Sequence, residues 1–184
     1  MTMELTKLEG NVPIIRALVE LFGDPLEDII DELNEADKTY EIPQPVQVVP
    51  YIPMLSILSG GMPIIGIGDM PSTYEDDLQF SMFGKHKVAV MMIMNHSDHL
   101  TLTEYLRKYQ HAVQLTIQQD REKPLHGEEP LLSGPKHGGI LYTRFVATEP
   151  GPLLGEVNPQ SADTPPTTYI SWTGLALELT RTEI

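Results

Sequence analysis

The feature that most constrains this chain is a run of apolar residues, Val88–Met94, followed by a long amphipathic pattern. A continuous apolar run of this length is typical of a strand covered on both faces. From about Thr101 to Asp120, apolar residues recur at helical spacing, and Thr101 with Glu104 matches a capping box. The two segments together predict a buried strand with a helix packed on its sheet.

Helical spacing also marks the first part of the chain, from Val12 to about Lys38. Gly23-Asp24-Pro25 interrupts it, so we predict two helical pieces, with Asp24 as a cap and Pro25 in the first turn of the second. The outer face of the second piece is acidic. Such a run is more typical of a solvated helix face than of a metal site.

Shorter strands are predicted on either side of the central run. Residues Thr39–Pro53 are proline-rich, which favours an edge strand or an extended arm. We predict a strand at Met62–Asp69, with Gly66 and Gly68 marking a bend or a close backbone approach. We also predict an acidic loop at Met70–Asp77. An alternating strand around Leu78, Phe80 and Met82 is then expected to turn at Gly84-Lys85.

Two further strands are predicted in the last third of the chain. Gly139–Ala147 alternates in side-chain character, and so does Thr167–Thr182, in which Gly174 suggests a bulge. The elements together predict an α+β fold. It has one mixed or antiparallel sheet, an N-terminal helix and a central amphipathic helix packed on it, and extended Pro-rich arms. We expect a single domain over residues 1–184, with extended segments at about 39–61 and 149–166.

The charge of the chain restricts its partners. The formal net charge is −14 at pH 7, which disfavours gripping the phosphate backbone of nucleic acid or an anionic membrane surface. The sequence contains no cysteine, and its longest apolar run is far shorter than the roughly 20 residues of a membrane helix. The first residues carry acids where a signal peptide has basic ones, so we expect synthesis in the cytoplasm.

The strongest candidate for chemistry is the cluster His96, Asp98 and His99, which lies between the buried strand and the helix. A metal site would need further ligands, and Asp98 or Ser97 is better suited to bonding the free N–H groups of the helix. No phosphate loop, nucleophile elbow or other catalytic signature is present. We therefore expect no enzyme activity, no cofactor and no metal. A small metal- or phosphate-dependent enzyme using these residues and His137 stays open as an alternative.

The order of elements resembles the tail terminator, or tail completion, proteins of long-tailed bacteriophages. The resemblance lies in the arrangement of segments and covers most of the chain. The segments that carry it are the helix around Ile14–Phe22, the strand Met62–Gly68, the acidic loop Ser72–Asp77, the strand–helix unit VAVMMIMNHSDHLTLTEYLRKYQHAVQLTIQQD, the strand Gly139–Ala147 and the closing strand Trp172–Glu183. The stretches Thr39–Pro53 and Glu149–Pro166 are insertions relative to shorter members.

The resemblance implies a structural virion protein of the tail or neck. Such a subunit forms a ring, commonly a homohexamer, that caps the tail tube and contacts the tube protein and the head-side connector, while DNA passes through without specific binding. An acidic lumen would keep DNA from sticking, and the residues we expect there are Asp69, Glu75, Asp76 and Asp77. The residues we expect in contacts between subunits are Val46, Val48, Val49 and Tyr51. Two further functions stay open, namely a different head–tail joining or minor tail protein and a monomeric binding module.

Overall fold

A computed structural model describes residues 12–53, 61–77, 81–122, 130–132, 140–147, 155–156 and 168–183. Side chains are described within 12–53, 61–70, 86–121, 130–132 and 168–179. The helices are α1 (Val12–Leu21), α2 (Asp24–Ala36) and α3 (His99–Glu122). The strands are β1 (Gln47–Val49), β2 (Ile64–Asp77), β3 (Ser81–His96), β4 (Ile140–Ala147), β5 (Gly155–Glu156) and β6 (Tyr169–Glu183).

The strands form one mixed sheet in the order β1-β2-β3-β6-β4, with β5 paired to the start of β6. β1 runs parallel to β2, and the other pairs are antiparallel. The centre of the sheet is the long β3–β6 pair, which runs in unbroken register from Met82 opposite Glu183 to His96 opposite Tyr169. The predicted class, an α+β fold with a mixed sheet and helices packed on it, is confirmed.

The helices pack on one face of this sheet, because alternate strand residues supply one continuous apolar surface. On β3 that surface consists of Val88, Val90, Met92 and Met94, and on β6 of Leu175, Leu177 and Leu179, all at most 1% exposed. The buried stripe of α3 covers both strands through residues that include Leu102, Leu106, Tyr109, Val113 and Ile117. The predicted central strand and helix are therefore the core of the molecule.

The two N-terminal helices are confirmed, but the cap that begins α2 differs from the prediction. Gly23 occupies the N-cap position without a side-chain hydrogen bond, and Asp24 already lies inside the helix. Pro25 stands in the first turn, as expected, because its missing N–H has no helical partner to lose there. Asp24 instead places negative charge near the N-terminus of α2, where the helix dipole favours it.

Three local predictions for the strands are wrong. Met70–Asp77 is not a loop but the second half of β2, and Gly84-Lys85 is not a turn but lies within β3. The two segments pair with each other after a register shift between Met70 and Thr73. Gly174 makes no bulge against β3, since it pairs with Met91 in unbroken register. Ladder hydrogen bonds between long neighbouring strands outweigh the weak local preference of acidic residues and glycine for loops.

The capping box predicted at Thr101 and Glu104 is also wrong, because α3 begins earlier than the sequence pattern indicates. Its first residue is His99, so Thr101 and Glu104 are internal to the first turns. At the other end, the buried Asp120 accepts hydrogen bonds from the backbone N–H groups of Leu131 and Leu132 at 2.8 and 3.0 Å. This carboxylate fastens the short turn at 130–132 to the end of α3. None of the described helices combines the length and the apolar character needed to cross a membrane.

Candidate interaction surface

The edge strand β1 carries the residues that the sequence suggested for contacts between subunits. Val46 and Tyr51, which flank the strand, are 53% and 49% exposed, whereas Val48 and Val49 are half-buried. Val48 packs against the core, and the backbone N–H of Val46 donates to Pro63 O at 2.8 Å. The structure thus brings the four residues together at one end of the sheet and leaves two apolar side chains facing solvent.

The chain reaches β1 through a strap, residues 37–44, that is held on its own helices. Lys108 Nζ donates to the carbonyl oxygens of Asp37 and Tyr40 at 2.9 and 2.7 Å. Asn34 both donates to Ile42 O and accepts from Ile42 N, at 2.8 and 3.0 Å, and Ile42 itself is buried. These bonds give partners to backbone N–H and C=O groups of the strap, which as a proline-rich segment does not form the regular hydrogen bonds of a β-sheet. The position of β1 is therefore set by α2 and α3.

Two further contacts complete this attachment. The hydroxyl of Tyr109, a fully buried residue of α3, donates to Pro43 O at 2.9 Å. Gln44 Nε2 donates to Glu27 O and to Asp31 Oδ1 on α2, at 3.1 and 2.7 Å. Burial raises the pKa of the Tyr109 phenol above its usual range. The hydroxyl therefore stays protonated and keeps its hydrogen bond to the strap across the neutral pH range.

Beyond β1, residues 51–53 cross β2 at the two glycines that the sequence singled out. A Cβ on Gly66 would lie 2.8 Å from Tyr51 O and would collide with Pro53 Cδ. A Cβ on Gly68 would collide with the side chain of Ile52. The predicted close backbone approach is confirmed at Gly66, whereas at Gly68 the side chain of Ile52 fills the space that a Cβ would need.

The acidic residues proposed for a lumen lie along β2. Asp69 is exposed, at a point where β2 still pairs in register with β3. Glu75, Asp76 and Asp77 continue the strand opposite Phe83, Met82 and Ser81. Their side chains lie outside the described part of the structure. Their backbone therefore lies in the long β2–β3 hairpin, and their role in a lumen stays a prediction.

The cluster at His96, Asp98 and His99 is organised around the start of α3. Asp98 Oδ2 accepts from Thr101 N at 2.7 Å, which makes Asp98 the cap of the helix, as predicted for this residue or Ser97. Asp98 N donates to His96 Nδ1 at 2.9 Å, and the imidazole of His96 packs edge-on against Tyr105. Among the described residues, no group of three metal-ligating side chains could hold an ion. His137 lies outside them.

Loss of the Asp98 cap should weaken the folded state in a pH-dependent way. The hydrogen bonds from Thr101 hold the pKa of Asp98 below its usual value, so the cap stabilises the protein above about pH 4 and is lost as the pH falls further. We expect Asp98→Ala to lower the urea midpoint at pH 7 and to lower it by a smaller amount at pH 3. Asp98→Asn, which keeps an acceptor oxygen, should lose less at pH 7. An equal deficit for Asp98→Ala at both pH values would contradict this role.

A groove of about 320 Å³ lies between the end of α2 and the first half of α3. Leu33 and Tyr40 are among its apolar residues, and Arg107, Lys108 and His111 are among its polar ones. Arg107 pairs with Glu104 at 3.0 Å, and Lys108 is bound to the strap. No local pattern in the sequence indicates this groove, because its walls come together only when the strap folds back. Its volume is near the lower limit for ligand sites, and the charged groups of Arg107 and Lys108 already bond to other residues of the protein.

Comparison with known proteins adds no functional assignment. No protein-family model and no curated protein sequence matches this chain.

Proposed function

We propose that this chain is a ring-forming structural subunit of the phage tail terminator type. In this role it caps the tail tube and joins it to the head-side connector, in the tail or neck of the virion, while DNA passes through the ring. The observation that carries the proposal is the pair of exposed apolar residues at the sheet edge, Val46 and Tyr51. They are half of the four large apolar side chains that are exposed in the described part of the chain.

Exposed apolar residues at the end of a sheet favour association with another chain. A ring requires that each subunit present one patch to its neighbour and receive a different patch from the other side. An edge strand at one end of a sheet provides such a one-sided patch. The resemblance in the order of segments supports this role, and the charge of −14 suits a channel through which DNA must slide freely.

The association can be tested through the two exposed residues. We expect the wild-type chain to form a ring, commonly of six copies, in native mass spectrometry and light scattering near physiological salt. Val46→Asp with Tyr51→Asp should convert most of it to monomer, because burying two carboxylates at an apolar contact costs several kcal/mol. Leu100→Asp is the matched control, since Leu100 is 75% exposed but lies on α3. Circular dichroism should show that all variants stay folded.

Two outcomes would count against the proposal. A wild-type chain that stays monomeric at high concentration, and in particles, would exclude a ring. A double variant that assembles as well as Leu100→Asp would exclude this edge as the contact.

Electron microscopy of particles separates a terminator from a different head–tail joining or minor tail protein, because these differ in position. Bound metal or activity that disappears in His96→Ala with His99→Ala would instead support a metal- or phosphate-dependent enzyme.

A further inference from the structure

The sheet has a second face, opposite the one on which the helices pack. The strand residues of the core under the helices all belong to one alternation, such as Ile65 on β2, Val90 on β3 and Leu175 on β6. The residues between them point to the other side. In the register of β2, β3 and β6 they form three rows, which we call the second face: Ile64, Ile93 and Trp172; Gly66, Met91 and Gly174; Gly68, Ala89 and Ala176.

The second face is apolar and is covered in part. Ile64 and Ile93 are 3% and 1% exposed, although they lie outside the core cluster under the helices. On β2, the segment 51–53 lies over Gly66 and Gly68. Solvent still reaches the part formed by β3 and β6, where the half-buried side chains are Ala89, Met91, Trp172 and Ala176. An apolar surface therefore remains beside the segment 51–53.

The two sides of the molecule differ in charge. On the helix side, α2 exposes six carboxylates, those of Asp24, Glu27, Asp28, Asp31, Glu32 and Glu35. On the other side, the row next to the second face adds one residue of each sign, Lys87 and Glu178, which lie opposite each other in the register. A chain with a net charge of −14 repels its own copies, and burying an unpaired carboxylate is strongly unfavourable. The second face is therefore better suited than the surface of α2 to a contact between two copies.

The second face is also continuous with the apolar residues beside β1. A Cβ on Gly66 would lie 2.8 Å from Tyr51 O, so the backbone of Tyr51 lies on this face. Gly66 pairs with Met91 on the next strand, and neighbouring strands are about 4.8 Å apart. A neighbouring copy that contacts the exposed side chain of Tyr51 thus lies close to the uncovered part of the face.

We propose that a second copy of this chain, the next subunit of the ring, covers the second face at Met91, Trp172 and Ala176. This inference rests on the proposed function and extends the contact from Val46 and Tyr51 across β3 and β6. A ring contact joins unlike patches, so the face meets a different surface of the neighbour. Association removes the apolar area of the face from water, which is the main favourable contribution to most protein contacts.

Trp172 is the single tryptophan of the chain, so its fluorescence reports on the second face without a label. The wild-type protein is diluted through the range in which light scattering shows the ring to dissociate. In the assembled state we expect emission at shorter wavelength and acrylamide quenching at least about twofold weaker than in the monomer, because the core of an interface excludes water.

Quenching that stays the same on assembly would overturn the inference and leave the proposed function intact. If that unchanged quenching is weak, the chain itself covers the face, and if it is strong, the face stays in solvent. A strict monomer at every concentration would remove both the inference and the proposed function.

Ala176→Glu tests the same surface without relying on fluorescence. A carboxylate at this position would be buried in the contact, so the concentration needed for half-assembly should rise at least about tenfold. Ala36→Glu is the matched control, since Ala36 is exposed on α2. Circular dichroism checks that both variants fold, and the wild-type fluorescence series decides alone if Ala176→Glu does not. Equal assembly of the two variants would show that the second face is not the contact.

Discussion

Replacing Tyr109 with alanine is expected to lower the free energy of unfolding by about 3–5 kcal/mol, the usual cost of deleting a fully buried aromatic side chain. Tyr109 is 0% exposed and is the largest fully buried side chain among the described residues. It also donates to Pro43 O at 2.9 Å, so its loss leaves a cavity under α3 and releases one anchor of the strap. Tyr109→Phe removes only the hydrogen bond and should cost about 1 kcal/mol. Urea unfolding followed by circular dichroism measures both values.

Tyr51→Ala is the matched control, because this tyrosine is 49% exposed. In the monomer it should change stability by no more than about 0.5 kcal/mol. If Tyr109→Ala costs no more than this control, the packing described for α3 is wrong.

Alkaline pH offers a separate test of the Tyr109 phenol. Burial raises the pKa of this group above the ordinary value of about 10, so its contribution to stability is complete below pH 10 and is lost as the pH rises further. Wild type should therefore lose more stability than Tyr109→Phe between about pH 9 and pH 11. If the free energy of unfolding falls by the same amount in the two proteins over that pH range, the phenol of Tyr109 is not buried and neutral as described.

The parts of the fold that can be predicted well from the sequence are those with strong, long-range periodicity. Val88–Met94 lies in the second half of β3, where the core-facing residues are buried and Ala89 and Met91 on the other face are half-buried. The helical spacing after Thr101 belongs to α3. Hydrophobic burial gives most of the driving force there, and it leaves a pattern that can be read along the chain. The break between α1 and α2 at Gly23-Asp24-Pro25 can also be predicted, because proline is favoured in the first turn of a helix and disfavoured in its interior.

The parts that cannot be predicted from the sequence depend on partners far along the chain. Met70–Asp77 has the composition of a loop, yet each half of the β2–β3 hairpin supplies ladder hydrogen bonds to the other. The strap is a similar case. Lys108 meets Asp37 and Tyr40 across about seventy positions of sequence, and nothing local marks Lys108 as an anchor. The sequence points to the apolar residues beside β1 as contact residues, but it does not reveal the helices that position them.

Gly66→Ala should release the segment that follows β1, and its cost should be about 1–3 kcal/mol. The added Cβ would lie 2.8 Å from Tyr51 O, which belongs to the backbone and cannot turn away. Gly66 also pairs with Val49 in the β1–β2 ladder, so relief of the collision must come from movement of residues 51–53 or of β1. Unfolding by urea gives the loss of stability, and the mass of the assembled protein gives the consequence for association.

Gly68→Ala provides the comparison that isolates this effect. Its Cβ would collide with the side chain of Ile52, which can adopt another rotamer or be shortened. We expect Gly68→Ala to be the milder change and Ile52→Ala, which removes the colliding γ and δ carbons, to relieve its collision, whereas Ile52→Ala should not rescue Gly66→Ala. Because Gly66→Ala displaces Tyr51, it should also weaken the ring more than its loss of stability alone explains. Equal rescue of both glycine variants by Ile52→Ala would show that the backbone of Tyr51 is not what excludes a side chain at Gly66. The segment after β1 would then not be held against β2 in the way described.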